Sequence, residues 1–599
     1  MKRLAFLIFA LFTAKLSSAT IYYVNTQGND SNDGISIATA WRSINKVNQV
    51  RLLKGDVVRF QGGATFSGSI NLTTDDRGTT TEPIVITSYG TGRALVNAGK
   101  GAGLYALNTE GIEVRAINFV GESGNTESGI FFFMDRTEAM LTHITLEDID
   151  VSGFHDYGVM FGSDSTTKGF SKVLVNRVLA HDNGNGGIGS YGAQGSVYNH
   201  KNFTVQNSKT YNNKGLLSIT NTNTGNGIVL SSLEGALIDQ CESYNNGENN
   251  TNPGGGPVGI WFYLTKNGII QNSVSHHNKT GTIDGGGFDI DGGSQNCIIQ
   301  YCYSYDNQGA GYLFAEYGSG VPFTGNKIRY NISQNDGLKA GSGSLYVWGV
   351  SPAENVINCE IYNNTLYIGR TGLVMLGSNF RNVKVKNNIF FSPPGTAMVS
   401  GVADSSQLHF VQNDYFSTST PSFLWNGVGH SSLAAWKAAA PTQERMGSIQ
   451  YGLSVDPQFT GAGQGRDGYK LAATSPLIDV GLNLSNIGNQ DFYGGVSRAG
   501  NSQDIGAYET SQTSSTTRST FSLTFLQNPV QTAITFNVVT EHPLSVTLSN
   551  AAGALLDKRE IQPNQGQFVW PASNLPTGIY YLRAVSRNNE SRTFVFLKK

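Results

Sequence analysis

The run Asp284-Gly-Gly-Gly-Phe-Asp-Ile-Asp291 ends on two aspartates separated by one residue. On an extended strand, Asp289 and Asp291 point to the same side with Cα atoms about 6–7 Å apart. At an effective dielectric near 20 their repulsion is about 2.5 kcal/mol, enough to hold one carboxyl neutral beside an ionised neighbour. That division is what acid-assisted hydrolysis of a glycosidic bond requires. Glu316 follows on the next strand of the same kind and is the general-acid candidate, with Asp289 and Asp291 as nucleophile or base. Trp261, Tyr263, Tyr317 and Trp348 occupy neighbouring positions. Aromatic faces of this kind offer sugars apolar area with little side-chain entropy to lose. His277 could reach the same groove from its edge.

Such a patch needs a scaffold that stacks strands, and the sequence repeats in that way. Val175, Val205, Ile238, Ile270, Ile299, Ile328, Ile357 and Val385 mark short apolar strands at gaps of 30, 33, 32, 29, 29, 29 and 28 residues. Eight residues beyond successive marks stand Asn183, Asn213, Asn246, Asn278 and Asn307, then Asp336. Six residues beyond stand His181, Tyr211, Tyr244, His276 and Tyr305. Ladders of one side-chain type need parallel, in-register coils. With 73 glycines and strands of four to six residues, helical repeats are excluded. Asn and Gly at the corners suit positive φ. A second strand in each unit opens on glycine: Gly227, Gly259, Gly287 and Gly311 are examples. The first and third residues after it are apolar and should face the coil interior, so the second and fourth face outward. Those are Asp289 and Asp291 in one unit, Trp261 and Tyr263 in the unit before.

The expected fold class is all-β: a parallel β-helix over residues 20–510, a polar linker at 511–519, and a small β-sandwich over 520–599. Trp41, Ile44, Val47 and Val50 recur every three residues and predict a helical cap for the open N-terminal end. Lys2-Arg3, the apolar run Leu4 to Leu11 and Ser17-Ser18-Ala19 read as a signal peptide over residues 1–19. No later stretch is long and apolar enough for a membrane helix. A net charge of −2 gives no basic stripe for nucleic acid. The four cysteines lack zinc-site spacing and read as buried free thiols. A monomer is expected.

Three resemblances add to this. Tyr22 to Gly63, together with Ser475-Pro-Leu-Ile-Asp-Val-Gly481 and Asp504-Ile-Gly-Ala-Tyr-Glu509, resembles the two ends of secreted right-handed β-helix proteins of the pectate-lyase-like superfamily. Asn528-Pro-Val, Asn574-Leu-Pro-Thr-Gly-Ile-Tyr-Tyr-Leu and the final Lys598-Lys599 resemble the C-terminal sorting domain of type IX secretion substrates of Bacteroidetes. The second resemblance implies engagement of the type IX machinery, and secretion or attachment at the outer-membrane surface. Asp-x-Asp followed one coil later by a carboxylate resembles β-helix glycoside hydrolases such as polygalacturonases. The Gly-His-Gly and Arg-x-Lys signatures of polygalacturonases are missing.

The favoured expectation is a glycosidase acting on a polysaccharide without a cofactor. Two alternatives stay open. A calcium-dependent lyase or epimerase would use Asp284, Asp289, Asp291 and Asp306 as oxygen ligands and Lys279 as base. A non-catalytic glycan-binding protein or adhesin would leave the carboxylates as solvated decoration.

Overall fold

Strict alternation along each short strand fixes which side chains are buried, and parallel pairing stacks those choices into a solenoid. A computed structural model describes residues 19–510 and 521–599, apart from 137–138, 194, 196–197, 340, 350–355, 378–379, 402–406, 526–528, 541, 552–553, 564–565 and 587–590. The signal-peptide and linker expectations (1–19 and 511–519) fall almost wholly outside the described residues. Chain contacts divide the protein into two compact units, Met1–Thr510 and Ser511–Lys599.

The first unit is a right-handed parallel β-helix of about 12 turns. One column of strands includes Gly186–Tyr191, the first half of Asn226–Asp239, the first half of Val258–Gln271, Gly286–Ile290, Tyr312–Glu316 and Leu345–Gly349. Each pairs in parallel with the next. A second column carries the apolar marks, paired Val175 to Val205, Ile238, Ile270, Ile299 and Ile328. It then continues to Ile361 rather than Ile357, which pairs instead with Thr324 and Arg381 in a separate short sheet. The coil from Ile328 to Ile361 takes 33 residues, and Ile357, four residues earlier, is the apolar residue that fits the 29-residue period. A third column carries the aromatic ladder.

The ladders form with close geometry. His181, Tyr211, Tyr244, His276 and Tyr305 stack with centroid separations of 4.5, 5.1, 4.9 and 4.5 Å and interplanar angles below 10°. In the asparagine ladder each Oδ1 accepts from the backbone N–H and the Nδ2 of the preceding rung. From Asn183 to Asn213, for example, these bonds measure 3.1 and 3.2 Å. Every rung donates in one direction, so the last position needs an acceptor and no amide. Asp336 supplies it, accepting from Asn307 at 3.0 and 2.8 Å. A second ladder, Asn331, Asn364, Asn388 and Asn413, ends the same way on Glu444. The residue before each rung of the first ladder makes the corner: Asp182, Asn212, Asn245, His277, Asp306 and Asn335 all have φ of 53–56°.

Glycine opens the first-column strands because the column beside it is serine. A Cβ at Gly259 would stand 2.0 Å from Ser275 Oγ and 2.8 Å from Asn278 Nδ2 of the ladder. Gly259→Ala is therefore expected to cost about 1–3 kcal/mol and to lower the thermal midpoint; an unchanged midpoint would show that the column has slack.

At the N-terminal end the helix is a single turn, Ile44–Val47, capped by Ser43, whose Oγ accepts from Lys46 N–H. Trp41 lies ahead of the cap, bridged to Val24 as extended chain, so the three-residue spacing overstated the helix. All four cysteines are buried free thiols. In the second unit an antiparallel three-stranded sheet (Phe521–Phe525, Ala533–Thr540, Gly566–Pro571) and a four-stranded one (Leu544–Asn550, Leu555–Ile561, Gly578–Ser586, Ser591–Lys598) share one core. Ile534, Phe536 and Trp570 come from the first sheet, Val546 and Leu582 from the second. In Leu555–Ile561 the charged run Asp557-Lys-Arg-Glu560 interrupts the apolar pattern.

Candidate active site

The strand Gly286–Ile290 turns Phe288 and Ile290 into the coil, both fully buried, which sends Asp289 to the outer face. Asp289 is in register with Trp261 on one side and Leu313 on the other. It is nonetheless 3% exposed, and its Oδ1 has no hydrogen-bond partner among the described residues. Asp291 follows the strand directly, its N–H donating to Phe262 O at 2.8 Å. Its Oδ1 accepts from Gly292 N–H at 2.8 Å and its Oδ2 from the Tyr317 hydroxyl at 3.3 Å. Asp284, in the turn leading into the strand, adopts φ 58°, and its Oδ2 accepts from Gly256 N–H at 2.9 Å.

These three carboxyls share one field. Burial is the largest influence on each and raises it above the ordinary carboxylate range. The charges of Asp291 and Asp284 raise Asp289 further, and those of Asp284 and Glu316 raise Asp291. Asp284 departs least: the Gly256 amide and the Lys339 ammonium both favour its ionised form. Protons therefore distribute unevenly over the set, as paired carboxyls in a desolvated site require. Asp284 was considered above only as a calcium ligand. Its membership in this cluster has no periodic signal, because the positive φ of Asp284 and Gly285 makes the turn that leads into the strand.

Several candidates stand elsewhere than expected. Glu316 is fully buried, with its carboxylate already occupied. Oε1 accepts from Gly318 and Ser319 N–H at 2.7 and 3.1 Å, and Oε2 from Gly293 N–H and Ser319 Oγ at 3.0 and 3.3 Å. It closes two turns beside the aspartates. The outward column passes through Ala315, not Glu316, since Ala315 is the residue in register with Trp348. Trp261 is 7% exposed and packed among Tyr157, Met160, Val229 and Val258, its indole N–H on Asn226 Oδ1 at 3.2 Å. It walls the site and offers no open face to a sugar. Tyr263 is half-buried against the same cluster. Tyr317, 43% exposed, and half-buried Trp348 lie 5.9 Å apart at 34° and form the open aromatic surface.

His277 and Asp306 are corner residues of the aromatic-ladder column, 3.9 Å from each other, and do not join the aspartates. The four-aspartate calcium set therefore does not converge. Among the described residues no group of three or more His, Cys, Asp or Glu is arranged to hold a metal ion. Lys279, the base of the lyase alternative, pairs at 3.7 Å with Glu248 on an exposed surface.

Comparison with known proteins agrees with the architecture. Residues 128–328 match the family model described as right handed beta helix region, and residues 528–598 match the secretion system C-terminal sorting domain. The chain is thus a right-handed β-helix protein carrying a type IX sorting domain, secreted or held at the cell surface. No helix among the described residues is long and apolar enough to cross a membrane. A lacto-N-biosidase of Bifidobacterium longum subsp. longum is 23% identical over 82% of this chain and 36% of its own length. The chain thus spans about a third of that relative. Among solved structures, a GH136 lacto-N-biosidase from Eubacterium ramulus has a TM-score of 0.45 at 16% identity, covering 63% of this chain and 65% of that one. Pectate lyase Pel9A has a TM-score of 0.38 at 17% identity, covering 83% and 97%.

Proposed function

We propose that this protein is an exported glycoside hydrolase acting on an oligo- or polysaccharide through the carboxyls of Asp284, Asp289 and Asp291. The observation that carries this reading is the shared field of those three groups beside the open rings of Tyr317 and Trp348. One carboxyl of the set donates its proton to the glycosidic oxygen as the bond to the anomeric carbon breaks. An ionised neighbour then attacks that carbon or takes a proton from an attacking water. Asp284 and Asp291, the two with some exposure, are the pair that meets substrate. Buried Asp289 holds its proton, pushed up by desolvation and then by the charges of Asp291 and Asp284. Glu316 is a positioning residue: it fixes Gly293 and Ser319, the turns that frame Asp291 and Tyr317. The similarity to a lacto-N-biosidase supports the same class of reaction.

The test is a panel of glycosides and polysaccharides, with and without EDTA, read for new reducing ends and for absorbance at 235 nm. Reducing ends without absorbance, insensitive to EDTA, are expected. An EDTA-sensitive rise at 235 nm would replace this reading with elimination, and silence in both channels with a binding role.

A further inference from the structure

The aromatic-ladder column, on a different side of the coil from the carboxyl cluster, is partly covered by the chain that closes the β-helix. Between them lies a cavity of about 320 Å³, at the small end of the range for ligand sites. Its floor is fixed. Buried Tyr303 and Tyr469 both donate their hydroxyls to Gln334 Oε1 at 2.9 Å. Phe492 and Tyr493 form one wall, edge to face at 4.9 Å. The short 3-10 turn Arg466–Tyr469 brings cations to this wall. The Lys470 ammonium lies 4.7 Å from the Tyr493 ring centroid and 3.5 Å from Asp467. The Arg466 guanidinium has no hydrogen bond or ion pair among the described residues, although it lines the cavity beside Tyr303 and Tyr493.

Of the charged residues that line the cavity, two are cations and one is a carboxylate, and among the described residues one of the cations is unpaired. Ring faces beneath them suit the apolar face of a pyranose, and an unpaired guanidinium suits a carboxylate in bidentate geometry. A neutral sugar would leave Arg466 unpaired; a simple anion would leave the rings unused. We propose that this cavity is a second carbohydrate site, specific for a saccharide bearing a carboxylate, held by Arg466 and Lys470 over Tyr493. It is independent of the hydrolase reading, because none of its residues belongs to the carboxyl cluster.

The test is calorimetric titration of the full chain at low salt with tetragalacturonate, a neutral xylotetraose and a short polyglutamate. The same titrations are run on Arg466→Ala/Lys470→Ala and on Asp291→Asn. Tetragalacturonate is expected to bind wild type and Asp291→Asn alike, and the double variant about tenfold or more weakly. Xylotetraose and polyglutamate are expected to bind at least about tenfold more weakly than tetragalacturonate. Equal binding of tetragalacturonate by wild type and the double variant, equal binding of polyglutamate, or no binding at all would overturn the proposal. Loss confined to Asp291→Asn would move the uronate to the carboxyl site and overturn it equally. Thermal midpoints of the double variant guard against misfolding, and Arg466→Lys, which keeps charge but loses the fork, should weaken binding less than the double variant.

Discussion

Asparagine at position 291 is expected to lower turnover by about a thousandfold while leaving the protein folded. The substitution keeps an oxygen for Gly292 N–H and a polar partner for the Tyr317 hydroxyl, so the local bonds survive. What it removes is a proton that can move. It also removes the charge that presses on Asp289, so the thermal midpoint should hold or rise. Glu316→Gln is the contrasting case. Its amide would place N–H groups against donors that now face a carboxylate from both sides. That variant should lose stability first, and activity only as the turns at Gly293 and Ser319 loosen. Measuring midpoint and turnover on both proteins separates the roles. An Asp291→Asn enzyme with wild-type turnover would remove the carboxyl cluster from the chemistry. The pH profile carries a sign as well. Burial and like charge raise the proton-holding member, so activity should survive well above the ordinary carboxylate range and fail on the alkaline side as that proton is lost.

The architecture was legible because its signals are periodic. Side chains that must repeat to be useful, such as Asn213 above Asn246 or Tyr211 above Tyr244, leave a trace in the spacing that no single coil provides. Alternation correctly sent Phe288 inward and Asp289 outward. Alternation reports side, however, and not depth. Trp261 faces outward into a second apolar cluster, and a period-two pattern has no term for what packs over it. Glu316 fails for a related reason. The strand continues one residue past the alternating pair, and the carboxylate then turns toward free amides that the Gly318-Ser319 bend presents. Those amides are a property of backbone conformation and have no letter in the sequence. Asp284 was hidden in the same way, since only the folded Asp284-Gly285 turn reveals which carboxyls share a field.

Stability should fall as pH rises from about 4 toward about 8, opposite to the trend of proteins whose carboxylates are salt-bridged. Asp414 is fully buried, with Oδ1 accepting from Val455 N–H at 3.0 Å and Oδ2 without a partner among the described residues, and burial pushes it up to about 8. The ladder ends Asp336 and Glu444 are each pushed to about 7, and Glu509 to about 8, again mainly by burial. In the unfolded chain these groups ionise near their ordinary values. The folded state therefore holds protons that the unfolded state releases. The stabilisation is complete below the unfolded pKa and is lost as pH climbs through the folded one. For Asp414 the gap between its ordinary value of 3.8 and about 8 corresponds to on the order of 5 kcal/mol at its limit. Asp414→Asn fixes the neutral shape at every pH. It should leave the midpoint near pH 5 close to wild type, raise it at pH 8, and flatten the slope between. Thermal midpoints at half-unit pH steps check this, since a solenoid need not unfold as one cooperative unit and a midpoint assumes less than an extrapolated free energy. Parallel curves for the two proteins would mean that Asp414 ionises in the fold at its ordinary pH, with water reaching Oδ2 from the closing segment.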